Sequence, residues 1–219
     1  MTDLSPTNDW GQVYADCVAA LAVAAERLTS AQLATAVPAT PEWTVHDLLA
    51  HSAGAPVDAL SGRMDGAPTP AWTGRHVAER ADSSVAELVA EMRGTVDDIA
   101  DSVRDNPRPA LVWDKAVHLA DLHEALGLGA PAEQTWVGVL DSVADWRLAE
   151  LPLTVRSGDR TWGAGGDEAV VTPYELFRAL FSRRSRAQIR AWAGAVPTDD
   201  QLDAVPVFGP REDDQPQPR

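Results

Sequence analysis

Apolar side chains recur every three or four residues along the first half of the chain, which is the spacing of amphipathic helices. The first stripe is formed by Val13, Cys17, Leu21, Ala24 and Leu28. On this pattern helices are predicted over Asp9–Leu33, over Val45–Ala53, from Ser83 or Ser84 to Val103, and from about Pro109 to Leu126. Such a series predicts a four-helix bundle, in which metal sites are commonly built from inward-facing side chains.

Local signals set the limits of these helices. Thr44 and Asp47 form a predicted capping box at the start of the second helix. Gly54 and Pro56 predict a stop or a kink soon afterwards. Prolines and glycines predict loops over Val37–Glu42 and Gly62–Arg75, and Gly127 ends the last bundle helix.

The remainder of the chain has a different character. Its pattern predicts helices over Ala132–Glu150, Pro173–Ser182 and Ser185–Trp192, and a hairpin of Leu153–Arg156 with Arg160–Trp162. The Pro-, Gln- and acid-rich end from Pro210 predicts disorder. The fold class expected is therefore mainly α: a bundle over 1–130, a small α+β region over 131–209, and a disordered tail over 210–219.

Composition narrows the function. The net charge of −15 argues against general binding to nucleic acid or anionic lipid. No apolar run approaches a membrane span, and the first ten residues do not resemble a signal peptide, so a cytoplasmic location is expected. The single cysteine, Cys17, excludes an internal disulfide framework and a Cys-rich zinc module. Lys115 is the only lysine, and abundant arginine and alanine suggest a GC-rich, actinobacterial genome.

Candidate chemistry centres on His51, Asp114 and His118. Asp114 and His118 are four residues apart and therefore share one helix face. His51 lies on an earlier helix, from which it can supply a third ligand. Two imidazoles and one carboxylate form the three-ligand pattern of a catalytic metal site, which leaves one position open.

Simpler interpretations remain open for each of these residues. A histidine on a helix is usually a core or surface residue, and Asp114 with His118 could be an ordinary pair on a helix face. His46 and His123 are five positions from the candidate ligands and are expected to face elsewhere. His76 is predicted to lie in a loop, either as a substrate contact or without a role.

Two further acids lie close to the candidate ligands in sequence. Asp121 shares the face of Asp114 and His118, so it could orient a ligand histidine from outside the coordination sphere or contact a neighbouring helix. Asp47 is one turn before His51, but its capping role already accounts for it.

Three segments resemble signatures of the mycothiol-dependent maleylpyruvate isomerase family, which belongs to the DinB/YfiT-like metal-binding four-helix bundles. They are Pro41-Glu-Trp-Thr-Val-His-Asp-Leu-Leu-Ala-His-Ser-Ala-Gly54, Trp113-Asp-Lys-Ala-Val-His-Leu-Ala-Asp-Leu-His-Glu-Ala-Leu-Gly127 and Pro173-Tyr-Glu-Leu-Phe-Arg-Ala-Leu-Phe-Ser-Arg-Arg-Ser-Arg186. There are two departures: Asp114 stands where the family commonly has Glu, and Ser182 where Gly is usual. The shorter Asp114 could alter the affinity or the geometry of the metal.

The resemblance implies that His51, Asp114 and His118 hold a divalent metal, usually zinc. It further implies that the metal deprotonates the thiol of mycothiol, the actinobacterial low-molecular-weight thiol. In the isomerase the thiolate adds to the cis double bond of maleylpyruvate, the resulting single bond rotates, and elimination gives fumarylpyruvate. The same thiolate could open an epoxide or displace a halide, as in an S-transferase. Cys17 is not needed as the nucleophile.

An arginine cluster near the C-terminus is a second candidate site. Arg178, Arg183 and Arg184 could bind carboxylates of mycothiol or substrate, because Arg forks bind carboxylates bidentately. Alternatively, these residues and their neighbours Arg186 and Arg190 could form a solvated helix face.

The leading functional hypothesis is a metal- and mycothiol-dependent isomerase or S-transferase. Its expected partners are mycothiol and a small-molecule electrophile, without nucleic acid or membrane, in a monomer or homodimer. Two alternatives stay open: a metal hydrolase that uses bound water, and a non-catalytic binding or regulatory protein of the same fold.

Overall fold

A computed structural model describes residues 9–218, in two compact units. The first unit ends at Leu126 and the second begins at Gly127, compared with a predicted boundary after residue 130. The start of the chain before residue 9 lies outside the described residues.

The N-terminal unit is mainly helical, as predicted. Within its described part the helices are α1 Trp10–Ala25, α2 Ser30–Leu33, α3 Val45–Ser61, α4 Pro70–Glu79, α5 Val85–Gly94, α6 Val96–Val103 and α7 Ala110–Leu126. Helices α1, α3 and α7, together with the consecutive pair α5 and α6, pack as the bundle. A short antiparallel hairpin, β1 Ala36–Val37 with β2 Thr40–Thr44, replaces part of the predicted loop before α3.

Two predicted helices are interrupted by polar side chains that satisfy the backbone locally. The first predicted helix ends at Ala25, and Thr29 then caps the separate short helix α2 through a capping box with Gln32. The third is divided at Thr95, whose Oγ1 donates to the carbonyl of Met92 at 2.9 Å. Such side-chain bonds compete with the regular helical pattern, and apolar periodicity does not report them.

Helix α3 begins as predicted but does not stop where predicted. Thr44 and Asp47 form the capping box, with the Thr44 amide donating to Asp47 Oδ2 at 2.8 Å. The helix then continues through Gly54 and Pro56 to Ser61. Pro56 has no N–H, so it cannot donate to the carbonyl of Ser52 one turn earlier.

Lys115 fills this gap in the hydrogen bonding of α3. Its Nζ donates to the carbonyl of Ser52, and it lies 5.7 Å from the centre of the Tyr14 ring. The side chain is fully buried, and burial lowers the pKa of Lys115 to about 8. A charged group thus enters the core at a carbonyl that the proline has left without its usual donor.

Cys17 is buried in the core on α1, as its position in the apolar stripe predicted. Burial raises the pKa of its thiol to about 12. At neutral pH this thiol is therefore protonated and enclosed, which are poor conditions for a nucleophile.

The C-terminal unit combines short helices with a mixed sheet. Among the described residues it contains α8 Val137–Arg147, α9 Pro173–Leu180, α10 Arg186–Arg190 and α11 Asp199–Ala204, with a 3-10 turn at Glu133–Thr135. The strands are β3 Thr154–Ser157, β4 Arg160–Trp162, β5 Glu168–Val170 and β6 Ala193–Gly194. Their order is β4-β3-β5-β6, with β3 parallel to β5 and the other pairs antiparallel. The predicted β3–β4 hairpin is confirmed, whereas β5, β6 and α11 were not predicted.

The end of the chain, predicted to be disordered from Pro210, instead lies hydrogen-bonded along its own unit as far as it is described. The Arg186 amide donates to the carbonyl of Arg211 at 2.9 Å, and the Gln188 side chain to that of Gln215 at 2.7 Å. Composition suggested a solvated tail, but the carbonyls of Arg211 and Gln215 accept hydrogen bonds from α10.

None of the helices in the described part of the chain is both long and apolar enough to cross a lipid bilayer.

Gly54 allows α4 to approach α3 closely. A Cβ at this position would lie 2.7 Å from His76 Cγ and 2.7 Å from Arg80 Nη1. A Cβ at Gly74, on α4, would meet nothing within 4 Å. The two glycines therefore form a matched pair for testing this contact.

We expect Gly54→Ala to lower the free energy of unfolding by about 1–3 kcal/mol, because the added methyl group overpacks the contact with α4. Gly74→Ala should raise it by about 0.5–1 kcal/mol, because alanine favours a helix. Urea unfolding followed by circular dichroism measures both. A Gly54→Ala protein as stable as the parent would show that α4 does not pack against α3 this closely.

Candidate metal centre

The three predicted ligands converge in the N-terminal unit. His51 comes from α3, and Asp114 and His118 lie one turn apart on α7. Asp114 Oδ1 lies 3.4 Å from Nε2 of each histidine. One donor atom from each residue falls within 4.8 Å of the other two.

This donor set fits a divalent cation. Tetrahedral zinc, with bonds of about 2.1 Å to nitrogen and oxygen, holds its donor atoms about 3.4 Å apart. Asp114 Oδ2 is buried and has no hydrogen-bond partner among the described residues. A buried carboxylate that contacts two imidazoles through Oδ1 and leaves Oδ2 without a partner in the described part of the chain is explained if a cation completes the site. Asp114, although shorter than the usual Glu, reaches both histidines.

Burial and neighbouring charges shift the pKa values of His51 and Asp114, and the two side chains differ in their exposure to solvent. Burial lowers the pKa of His51 to about 4 despite the opposing pull of Asp114, so this ring is neutral near pH 7 and can offer a lone pair. Burial alone would raise the pKa of Asp114, but His118 and His51 outweigh it and hold that pKa well below its ordinary value. The Asp114 side chain is 28% exposed, compared with 2% for His51, so the cluster opens towards solvent beside Asp114.

Asp121 contacts the outer nitrogen of His118. Its Oδ2 lies 3.1 Å from His118 Nδ1, and its side chain is buried. Burial would lower the pKa of His118, but the carboxylates of Asp114 and Asp121 raise it above its ordinary value. The contact agrees with the geometry expected of an orienting residue, and that role stays a prediction.

His76, predicted to lie in a loop, is instead a fully buried residue of α4. Its Nδ1 lies 3.0 Å from His51 Nδ1, and its Nε2 lies 2.9 Å from Asp58 Oδ2. Burial keeps the pKa of His76 below its ordinary value although Asp58 opposes this. The loop prediction failed because Pro70 begins a helix rather than extending the loop.

Asp58 was missed because the helix was predicted to end before it. It is buried on α3, seven residues after His51 and therefore on the same face. Arg75 Nη2 donates to Asp58 Oδ2, and Arg63 Nε lies 3.2 Å from Oδ1. Burial alone would raise the pKa of Asp58, but its hydrogen bonds with Arg75 and His76 lower it.

Two tryptophans border the cluster. The Trp43 ring lies 5.0 Å from the ring of His51 and 5.8 Å from that of His118. The Trp72 ring lies edge-on, 6.0 Å from His51. Trp43 lies in β2, so the unpredicted hairpin before α3 supplies one side of the centre.

The remaining N-terminal candidates lie outside the cluster. His46 Nε2 lies 2.9 Å from the carbonyl of Ser83, and Asp47 is engaged in the cap of α3. Neither these residues nor His123 belong to a group that could hold a metal within residues 9–218. The sequence prediction that His46 and His123 face elsewhere agrees with this arrangement.

The predicted arginine cluster lies in the C-terminal unit. Arg178, Arg183 and Arg184 are all buried. The Arg184 fork donates to both oxygens of Glu175, at 2.6 and 2.7 Å. These bonds already use the carboxylate-binding face of Arg184, and cofactor binding by the three arginines stays a prediction.

The alternative of a solvated helix face fits Arg190, whose side chain is 42% exposed, but not Arg186, whose side chain is 19% exposed. Arg190 pairs with Asp199, and Arg186 Nε lies 2.8 Å from Glu212 Oε1.

Comparisons with known proteins agree with this architecture. The family described as mycothiol maleylpyruvate isomerase N-terminal domain matches residues 14–141, more than half of the chain. A crystal structure of the mycothiol-dependent maleylpyruvate isomerase is similar at a TM-score of 0.50 and 13% identity, over 82% of this chain and 90% of that one. A histidine-to-alanine mutant of that isomerase gives a TM-score of 0.49 with the same identity and coverage. No curated protein matches at the sequence level. At 13% identity the structural likeness concerns the fold alone; from the family match, the chain belongs to the mycothiol maleylpyruvate isomerase N-terminal domain family.

Proposed function

We propose that this protein is a metal-dependent enzyme that uses a low-molecular-weight thiol, mycothiol, as its nucleophile. Its reaction is a maleylpyruvate-type cis–trans isomerisation or a thiol S-transfer to a small electrophile. The observation that carries the proposal is the convergence of His51 Nε2 and His118 Nε2 on Asp114 Oδ1, in a carboxylate whose other oxygen is buried without a hydrogen-bond partner within residues 9–218. The family to which the chain belongs includes mycothiol-dependent isomerases, which supports the same chemistry.

His51 Nε2, His118 Nε2 and an oxygen of Asp114 would hold the cation, with zinc as the best match to this donor set. Three protein ligands leave one position for an exogenous group. When bound there, a divalent cation lowers the pKa of a coordinated thiol and so supplies a thiolate near neutral pH.

The protein's own groups provide placement and shielding. His51 is neutral near pH 7, and Asp114 supplies the negative charge that offsets part of the cation's charge. Trp43 and Trp72 border the two histidines with apolar surface, which limits the access of water. The exposed side of Asp114 leaves a direction from which thiol and electrophile can approach.

The nucleophile has to come from outside the chain. Cys17, the only cysteine, is fully buried in the core, and the pKa of its thiol is about 12. An exogenous thiol activated by the centre fulfils the role that Cys17 cannot.

Purified protein should contain about one divalent metal ion per chain, and His118→Ala should lose most of it, because one imidazole ligand is removed. His46→Ala is the matched control, since His46 lies outside the cluster. Elemental analysis of all three proteins measures the metal content. Equal content in the parent and in His118→Ala would contradict the assignment.

Asp114→Asn should weaken metal binding more than Asp121→Asn. The first change removes the negatively charged ligand, whereas the second removes an orienting contact, typically a change of about 10–100-fold in affinity. Titration with zinc in competition with a chelator ranks the two variants. The reverse order would place Asp121, and not Asp114, on the metal.

Turnover should require an added thiol and should survive Cys17→Ser, because the nucleophile is exogenous. The assay offers maleylpyruvate and a panel of epoxides and halides, with and without mycothiol, to the metal-loaded protein. Circular dichroism verifies that Cys17→Ser is folded.

Each contrary result of this assay points to a different function. Turnover without thiol would support a metal hydrolase, and loss of turnover in folded Cys17→Ser would make Cys17 the nucleophile. Absence of turnover on every substrate would favour a binding protein.

A further inference from the structure

We propose that Asp58 and His76 are positioning residues for the metal centre, which hold His51 in the tautomer that presents Nε2 to the cation. The inference deepens the proposed function and rests on it for its purpose. Its structural content is a continuous path from the Asp58 carboxylate through the His76 ring to the His51 ring.

Hydrogen-bond accounting along this path leaves one arrangement for neutral rings. An ionised carboxylate only accepts, so His76 Nε2, 2.9 Å from Asp58 Oδ2, carries the proton of that ring. His76 Nδ1 is then an acceptor. Because His51 Nδ1 lies 3.0 Å away, it must donate to His76, and the lone pair of His51 remains on Nε2. Nε2 is the atom that lies 3.4 Å from Asp114 Oδ1, a longer contact than the 3.0 Å at Nδ1, so the shorter bond to His76 decides where the proton of a neutral His51 ring resides.

The surroundings of Asp58 keep it an acceptor. Its side chain is 1% exposed, and Arg75 and Arg63 both face its oxygens. These two cations favour the ionised form, which cannot donate to His76. The tautomer of His76 is therefore set by charge at the far end of the path, away from the metal.

Two features of the fold bring the residues of this path together. Asp58 follows His51 by seven residues on α3, so both face the same way. His76 reaches between them from α4 at Gly54, where a Cβ would lie 2.7 Å from His76 Cγ. The path thus needs both the continuation of α3 past Pro56 and the absence of a side chain at residue 54.

A purely structural role for this buried network is the competing explanation, and Asp58→Leu compared with Asp58→Asn separates the two. In Asp58→Asn the amide oxygen can take the place of Oδ2, where it accepts from both Arg75 and His76, so His76 keeps its proton on Nε2. In Asp58→Leu this acceptor is lost, so the proton of His76 is no longer fixed on Nε2, and His51 can carry its own proton on Nε2, where it blocks the cation. A network that served only packing would leave the tautomer of His51 unchanged in both variants.

The experiment is ¹⁵N NMR of the histidine rings in metal-free protein, together with zinc affinity by chelator competition. In the parent we expect His51 protonated on Nδ1 and His76 on Nε2. In Asp58→Leu we expect His51 to populate the Nε2-protonated form and zinc affinity to fall about 10–100-fold, whereas Asp58→Asn should keep the parent tautomers. Glu79→Gln is the matched control, because Glu79 also pairs with Arg63, at 2.5 Å, but lies outside the path from Asp58 to His51; it should leave both readouts unchanged.

Replacement of His76 itself provides a second test if Asp58→Leu does not fold. Gln can accept the His51 Nδ1 proton through its side-chain oxygen, whereas Phe cannot. We therefore expect His76→Gln to bind zinc more tightly than His76→Phe. Equal affinity in the two variants would overturn the proposal.

An unchanged His51 tautomer in folded Asp58→Leu would also overturn the proposal, even if zinc affinity fell. The proposed function fails separately, when the parent protein binds no metal. The ring tautomers are measured in metal-free protein, so they test the path from Asp58 to His51 whether or not the parent protein binds a metal.

Discussion

The hydrogen bond from Lys115 Nζ to the carbonyl of Ser52 is the contact on which the centre depends. Ser52 follows His51, and Lys115 follows Asp114, so the bond joins α3 to α7 one residue away from a ligand on each helix. Pro56 makes the carbonyl available because it has no N–H to donate. A buried lysine is tolerated only when its charged group has such a partner. The contact also fixes the axial register of α3 against α7.

In both histidines of the cluster, Nδ1 contacts a hydrogen-bond partner outside the candidate metal site, and the two partners differ. His118 Nδ1 meets the carboxylate of Asp121 directly at 3.1 Å, whereas His51 Nδ1 reaches a carboxylate only through His76. Ligand histidines in metal sites almost always have such an outer partner, which sets the tautomer and the orientation of the ring. The centre thus draws on α3, α4 and α7, although its three ligands come from only two of these helices.

The part of the site that could be predicted from sequence follows local rules. Asp114 and His118 share a face because of the helical repeat, and Asp121 follows from the same repeat. The capping box at Thr44 placed the start of α3 correctly, and with it the second turn that carries His51. The resemblance of three segments to family signatures then indicated the family, and the match of the family model over residues 14–141 confirms it.

The part of the site that could not be predicted from sequence depends on contacts between residues that are distant in sequence. Gly54 and Pro56 predicted a stop or a kink soon after Ala53, but the helix continues to Ser61. The carbonyl of Ser52, which Pro56 leaves without its usual donor, accepts from Lys115 on α7, and the local sequence gives no sign of a donor on another helix. With α3 cut short, Asp58 could not be placed on the face of His51, and His76 had no predicted partner. The parallel pairing of β3 with β5 was likewise invisible, because short strands paired across a long connection leave little periodic pattern.

X-ray absorption at the zinc edge of the loaded protein tests the central claim most directly. The account predicts two imidazole nitrogens and at least one oxygen at about 2.0–2.2 Å, with a sulfur scatterer at about 2.3 Å once mycothiol is added. A spectrum without imidazole scattering would contradict the assignment of His51 and His118. A spectrum unchanged by mycothiol would contradict activation of the thiol at this centre.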